Sequence, residues 1–144
     1  FIYDEVVLSL MEDPRRRFIS VEMAYFTRWY FNQATSMQRE QVKTLVKSGQ
    51  LEFIVGGWTM EDEACPTFST NIDQMSEGHR FLYETFGVVP KFGWQIDPFG
   101  ASNVAHRHFA EMGFEATVIS RVNWRLKQQC EENHQLQFVW KPSR

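Results

Sequence analysis

Apolar and polar residues recur along this chain in two rhythms that change places several times. Val6, Val7, Leu10 and Met11 share one side of an amphipathic segment from Glu5 to Glu12, which Pro14 stops. Phe18-Ile19-Ser20-Val21-Glu22 then reads as a short buried strand. Two aromatic-rich helices are predicted next, Met23 to Asn32 and Met37 to Ser48. In the second, Val42, Leu45 and Val46 share a face, Ser36 is the expected N-cap and Gly49 the expected stop. Leu51-Glu52-Phe53-Ile54-Val55 is a second strand running into Gly56-Gly57-Trp58. Ile72, Met75, His79, Leu82 and Phe86 recur at three- and four-residue steps, one helix stripe ended by Gly87. Lys91 to Ile96 is a third strand, Ala101 to Met112 a helix closed by Gly113, and Ala116 to Ser120 a fourth strand. A polar helical stretch follows, then Leu136-Gln137-Phe138-Val139-Trp140 as an expected fifth strand.

Strands and helices alternating over short links predict an α/β fold of parallel strands joined by right-handed crossovers. No repeat, linker or low-complexity tract interrupts the pattern, so residues 1–144 read as one domain, either most of an open sheet or part of a larger barrel. The chain opens on Phe-Ile-Tyr and closes on Lys-Pro-Ser-Arg, and both ends read as cuts through a longer protein. Ligands of parallel α/β folds collect at the carboxyl ends of the strands. Those ends carry Glu22, then Trp58 to Glu63, then Asp97-Pro98-Phe99, then Arg121 and Lys141. An acidic, aromatic-lined cleft of this kind suits a neutral sugar, with a divalent metal, better than a phosphate.

Composition adjusts this picture only at the margins. The chain has 144 residues, 43% hydrophobic and 23% charged, an ordinary globular balance. Its 15% aromatic content fits rings stacking on sugars, but ordinary burial of Phe explains it at least as well. A net charge of −3 gives no footprint for nucleic acid or an anionic membrane. Arg15-Arg16-Arg17, the one basic cluster, reads as a solvated turn, and no apolar run approaches the ~18 residues of a membrane span. Cys65 and Cys130 form no metal motif; free thiols, one bridge, or pairing to cysteines elsewhere all stay open.

Asp97 concentrates the candidate chemistry. It ends a strand that is apolar around it (Phe92, Trp94, Ile96), and Pro98 turns the chain out of the sheet behind it. A rigid, partly desolvated carboxylate there suits a nucleophile or a metal ligand. The competing reading is that Asp97 caps the following helix or braces the turn. The histidines offer less. His106 and His108 are two apart on a helix and so form no ligand pair, while His79 sits on a buried stripe and His134 in a polar stretch.

The run Gly93-Trp94-Gln95-Ile96-Asp97-Pro98-Phe99-Gly100 resembles the nucleophile motif of the family 38 α-mannosidases, retaining zinc-dependent glycoside hydrolases. The likeness continues in ordered blocks along the whole chain. They are Arg17 to Glu22 with Phe26 and Trp29, then Gly49 to Phe53 and Gly56 to Met60 with Asp62-Glu63-Ala64. Asp73-Gln74 with Glu77-Gly78-His79 follows, and then Ser120-Arg121-Val122. Phe81 to Gly87, Phe99 to Ser102 and Leu136 to Trp140 are most similar to the epididymis-specific branch, with lysosomal members next. Ala101 stands where lysosomal and Golgi members usually have His, and Thr67-Phe68 departs from a common His-led pair.

The resemblance implies the central part of an irregular, seven-stranded (β/α) barrel-like catalytic domain. It implies retaining hydrolysis of terminal α-mannosidic bonds in N-glycans through a covalent mannosyl-Asp97. Retention needs two carboxyl groups roughly 5 to 5.5 Å apart. Asp97 would be nucleophile and zinc ligand, Arg121 its orienting neighbour, and Phe99 and Trp58 substrate-binding rings. The other zinc ligands and the acid/base aspartate would lie outside this chain, and the compartment would be lysosomal, vacuolar or extracellular. Two other readings are a sugar-binding pseudo-enzyme and a metal-dependent polysaccharide deacetylase. Asp97 together with Arg121 argues against the first. The lack of an Asp-Asp or His-x-x-x-His set argues against the second.

Overall fold

In the computed structural model, which describes residues 2–141, the chain is α/β with parallel strand pairs. It divides into two compact units. One runs up to Glu61 and resumes at Pro66–Lys91; the other joins Asp62–Cys65 to the chain from Phe92 onward.

The first unit follows the apolar pattern closely. Helix α1 (Ile2–Glu12) buries Val7 and Leu10, strand β1 (Phe18–Ser20) follows, and helix α2 (Met23–Asn32) buries Met23, Phe26, Trp29 and Tyr30. Helix α3 (Ser36–Lys47) leads to strand β2 (Leu51–Phe53), which pairs in parallel with β1, Phe18 opposite Leu51. Helix α4 (Phe68–Phe86) ends at Gly87, whose φ of 67° is the left-handed cap that only glycine adopts cheaply.

The aromatic excess is spent here on packing. Phe26 lies edge-on to Phe53 at 5.0 Å and to Tyr3 at 5.2 Å, and stacks on Tyr30 at 5.7 Å. Such pairs add about 0.5–1.5 kcal/mol each beyond the area they bury. Arg15, Arg16 and Arg17 bond to Asp13, Glu12 and nearby carbonyls, the solvated turn that was expected.

One start signal differs from expectation. The cap of α3 is Thr35, not Ser36, because Thr35 is the residue still in extended conformation. Its Oγ1 accepts the Gln38 N–H at 3.2 Å, and the Gln38 side chain accepts the Thr35 N–H at 2.9 Å. Gln38 also donates to Asp4 at 2.9 Å, and Trp29 Nε1 donates to the same oxygen at 3.0 Å. The Trp29 hydrogen bond is the leading reason that the Asp4 carboxyl sits below its ordinary range. Thr35→Ala is expected to cost about 1 kcal/mol, the usual value of a lost cap. Amide exchange over the first turn of α3 should then quicken about fivefold, with Thr35→Ser restoring it; unchanged exchange refutes the cap.

The second unit is a βαβ crossover: strand β3 (Phe92–Gln95), helix α5 (Asn103–Glu111) and strand β4 (Ala116–Ile119), followed by helix α6 (Trp124–Glu132). Phe109 of α5 packs over β3 where Gly93 leaves room; a Cβ there would meet the Phe109 ring at 2.8 Å. The expected fifth strand does not form. Residues 136–140 pair with no strand among the described residues, and an apolar run without a ladder partner leaves its backbone groups unsatisfied as a strand. Trp140 instead lies against His106, ring centroids 4.3 Å apart. With β3 as its one strand neighbour among the described residues, β4 leaves Val118 and Ile119 partly exposed.

Candidate active site

Strand register assembles the site. β3 and β4 run parallel with Phe92 opposite Ala116 and Gln95 opposite Ile119, an offset of 24 residues (116 − 92). Asp97 and Arg121 each lie two residues past the end of their strand and keep that offset (121 − 97 = 24). Two side chains in register on adjacent parallel strands emerge side by side, and these two meet. Arg121 Nε donates to Asp97 Oδ1, and its terminal nitrogen pairs with the same oxygen.

This grip leaves the other carboxylate oxygen available. Among the described residues no donor reaches Asp97 Oδ2, and the side chain is 48% exposed. The Arg121 guanidinium also lies 5.4 Å over the Phe99 ring, which is itself 77% exposed. One face of that ring therefore meets a cation and the rest meets solvent. Asp97, Arg121 and Phe99 are thus brought together, as acid, orienting cation and open aromatic surface.

Trp58 belongs to the first unit, where it is half-buried against the aromatic core. Its backbone N–H donates to Gln74 O at 3.0 Å, which seats the turn after β2 on α4. Glu22 accepts the Met60 N–H at 2.9 Å, so this strand-end acid is used to hold a loop. His79 Nε2 bonds Val55 O at 2.7 Å, a structural use of the stripe histidine.

The arrangement that sequence reasoning missed is a buried acid–imidazole pair. Glu63, its side chain 1% exposed, places Oε1 at 3.5 Å from His106 Nε2, and His106 is 6% exposed. Burial pushes the His106 imidazole below its ordinary pKa, with Glu63 acting in the opposite direction. A proton on Nε2 directed at Glu63 leaves Nδ1, which has no partner among the described residues, as an unpaired acceptor. One signal was available. His106 lies between Ala105 and Phe109 on the buried face of α5, and a buried imidazole calls for a partner.

A metal would find one ligand here. Among the described residues no three His, Cys, Asp or Glu side chains gather as a metal-binding group. The free Asp97 oxygen fits a single coordination position, and further ligands would have to come from other parts of a longer protein. Cys65 and Cys130 do not bridge each other. No helix among the described residues is long and apolar enough to cross a membrane.

Comparison with known proteins adds an independent line. The family model described as the N-terminal domain of glycosyl hydrolases family 38 matches residues 1–144. A lysosomal alpha-mannosidase of Dictyostelium discoideum is 48% identical over 141 residues, covering 98% of this chain and 14% of that protein. An epididymis-specific alpha-mannosidase of Sus scrofa is 46% identical over 143 residues, 99% of this chain and 14% of its own length. An alpha-mannosidase of Canavalia ensiformis is 43% identical over 144 residues, 99% of this chain and 15% of its own. The chain therefore spans about one seventh of the length of these relatives.

Proposed function

The chain belongs to glycosyl hydrolase family 38, and from that premise we propose that Asp97 is the nucleophile with which the full-length protein cleaves terminal α-mannosidic bonds. The observation that supports this most is the asymmetric grip on Asp97: Arg121 holds Oδ1, and no donor among the described residues takes Oδ2. A carboxylate oriented through one oxygen and open at the other is what in-line attack on an anomeric carbon requires.

In the first step Asp97 Oδ2 bonds to the anomeric carbon as the bond to the leaving oxygen breaks. An acid carboxyl from elsewhere in the full-length protein protonates that oxygen. In the second step the same carboxylate takes a proton from water, water adds to the anomeric carbon, and Asp97 is released. Two inversions give net retention. Arg121 stays on Oδ1 throughout and keeps the attacking oxygen aimed. The exposed part of the Phe99 ring offers an apolar face to the pyranose. A zinc ion bound through Asp97 and ligands outside this chain would hold sugar hydroxyls and offset charge at the reacting centre.

The substrate class is mannose-terminated oligosaccharide, and the compartment is lysosomal, vacuolar or extracellular. The relatives' names, lysosomal and epididymis-specific alpha-mannosidase, support a mannose-bearing substrate and the lysosomal reading. The domain is read as part of a larger barrel-like α/β domain. The test is the anomeric configuration of the first-formed mannose, followed by proton NMR as the full-length protein cleaves an aryl α-mannoside. The α-anomer should appear first and mutarotate later. First appearance of the β-anomer overturns the nucleophile role of Asp97, and sugar binding without any turnover favours the pseudo-enzyme.

A further inference from the structure

Helix α5 begins immediately beyond the Asp97 turn, and the way its first turn is capped links that turn to a distant acid. Ser102 is the N-cap, its Oγ accepting the Val104 N–H at 3.2 Å. In the common reciprocal cap, a Glu or Gln three residues on would accept the N-cap's own N–H. Here that position is Ala105, which has no acceptor. Glu63 supplies one from another part of the chain, its Oε2 accepting the Ser102 N–H at 2.5 Å. A carboxylate at a helix N-terminus also meets the positive end of the helix dipole.

Two further contacts seat the segment that carries Glu63. Asp62 Oδ1 accepts the N–H groups of Ala64 at 2.8 Å and Cys65 at 3.2 Å, a tight turn around Glu63. Ala64 lies against Gly100, where an added Cβ would sit 3.1 Å from the Ala64 Cβ. His106, four residues into α5 from Ser102, lies beside the other Glu63 oxygen. The stretch Asp97–Ser102 is thus held at one end by Arg121 and at the other by Glu63.

We propose that Glu63 is a positioning residue: its buried carboxylate, bonded to the Ser102 N–H and flanked by His106, clamps the far end of the Asp97–Ser102 turn and thereby sets Asp97 and Phe99 for the sugar. The clamp rests on the reading of Asp97 as nucleophile only for its effect on catalysis. Its effect on the backbone is separate, and the two are measured separately.

The experiment compares Glu63→Ala, Glu63→Gln and Glu63→Asp in the full-length protein. Amide exchange is read over residues 97–104, and kcat and KM on an aryl α-mannoside are read in parallel. In Glu63→Ala, exchange over 97–104 should rise about tenfold while peptides over β3 and β4 stay protected, and kcat should fall about tenfold or more with KM little changed. Glu63→Gln should recover both, because an amide oxygen still accepts the Ser102 N–H. Glu63→Asp, one methylene short, should resemble the alanine variant. If the alanine protein does not fold, the contrast between Gln and Asp decides in its place. Unchanged exchange, or faster exchange with unchanged kcat, overturns the proposal, as does a Gln variant no better than Asp. Turnover surviving in Asp97→Ala overturns the nucleophile reading alone, since the exchange result for Glu63 stands on its own.

Discussion

Asp97→Ala in the full-length protein is expected to lower kcat for an aryl α-mannoside by about 10³-fold or more, roughly 4 kcal/mol at 1.36 kcal/mol per decade. The loss should fall on kcat and kcat/KM together, because the bond proposed for Asp97 would exist only on the way to the intermediate. The fold should survive. Asp97 is 48% exposed and its partner Arg121 is 56% exposed, so the ion pair is worth no more than about 1 kcal/mol to stability. That separation makes the variant informative, since a catalytic loss cannot then be assigned to unfolding. Asp97→Asn, which keeps the shape and removes the charge, should fall nearly as far, because an amide is a poor nucleophile. Turnover within tenfold of the parent protein in either variant removes Asp97 from the mechanism.

Gly78→Ala is expected to destabilise the first unit by about 3 kcal/mol, the opposite of what helix propensity alone predicts. In the interior of an exposed helix, Ala in place of Gly would gain about 1 kcal/mol. Gly78 lies in the middle of α4, but against the backbone of the turn after β2. A Cβ there would overlap the Gly56 carbonyl oxygen and come within 2.7 Å of Gly57 C and 2.9 Å of Gly56 C. Backbone atoms cannot rotate aside as a side chain can, so α4 and the turn must part. Two bonds that join them, His79 to Val55 O and Trp58 N–H to Gln74 O, would lengthen or break at about 1 kcal/mol each. Amide exchange in the full-length protein reads this locally: protection over α4 should drop about a hundredfold, at 1.4 kcal/mol per decade. Protection equal to or above the parent's would show that the turn yields, and the packing argument would be wrong.

Both residues also mark where reading the sequence succeeds and where it stops. Helix α2 has the bounds that its apolar spacing predicts, and Gly87 ends α4 where the stripe from Ile72 to Phe86 runs out. These are local properties, set by side-chain period and by the φ that glycine alone takes cheaply. The cap of α3 is Thr35 and not the neighbouring Ser36; the two are chemically equivalent caps, and only the backbone path separates them. Leu136 to Trp140 carries strand-like residues, but strand formation depends on a neighbour, which composition does not supply.

The candidate site divides in the same way. Asp97 and Arg121 were legible as strand-end residues, and parallel pairing at one offset is enough to bring them together. Glu63 and His106 were visible only as an acid in a loop and a histidine on a helix, 43 residues apart (106 − 63). Nothing in their spacing joins them.

What the sequence determined by itself is the order and kind of the elements up to α6, the family, and which strand-end residues are the candidates for chemistry. All of these are encoded in near-neighbour periodicity and contiguous motifs. The tertiary structure alone decided that Arg121 holds Asp97 through Oδ1, that a distant carboxylate caps α5, and that a glycine in mid-helix is there for a backbone contact. Each of those depends on distances between segments far apart in the chain, and such distances are fixed by packing.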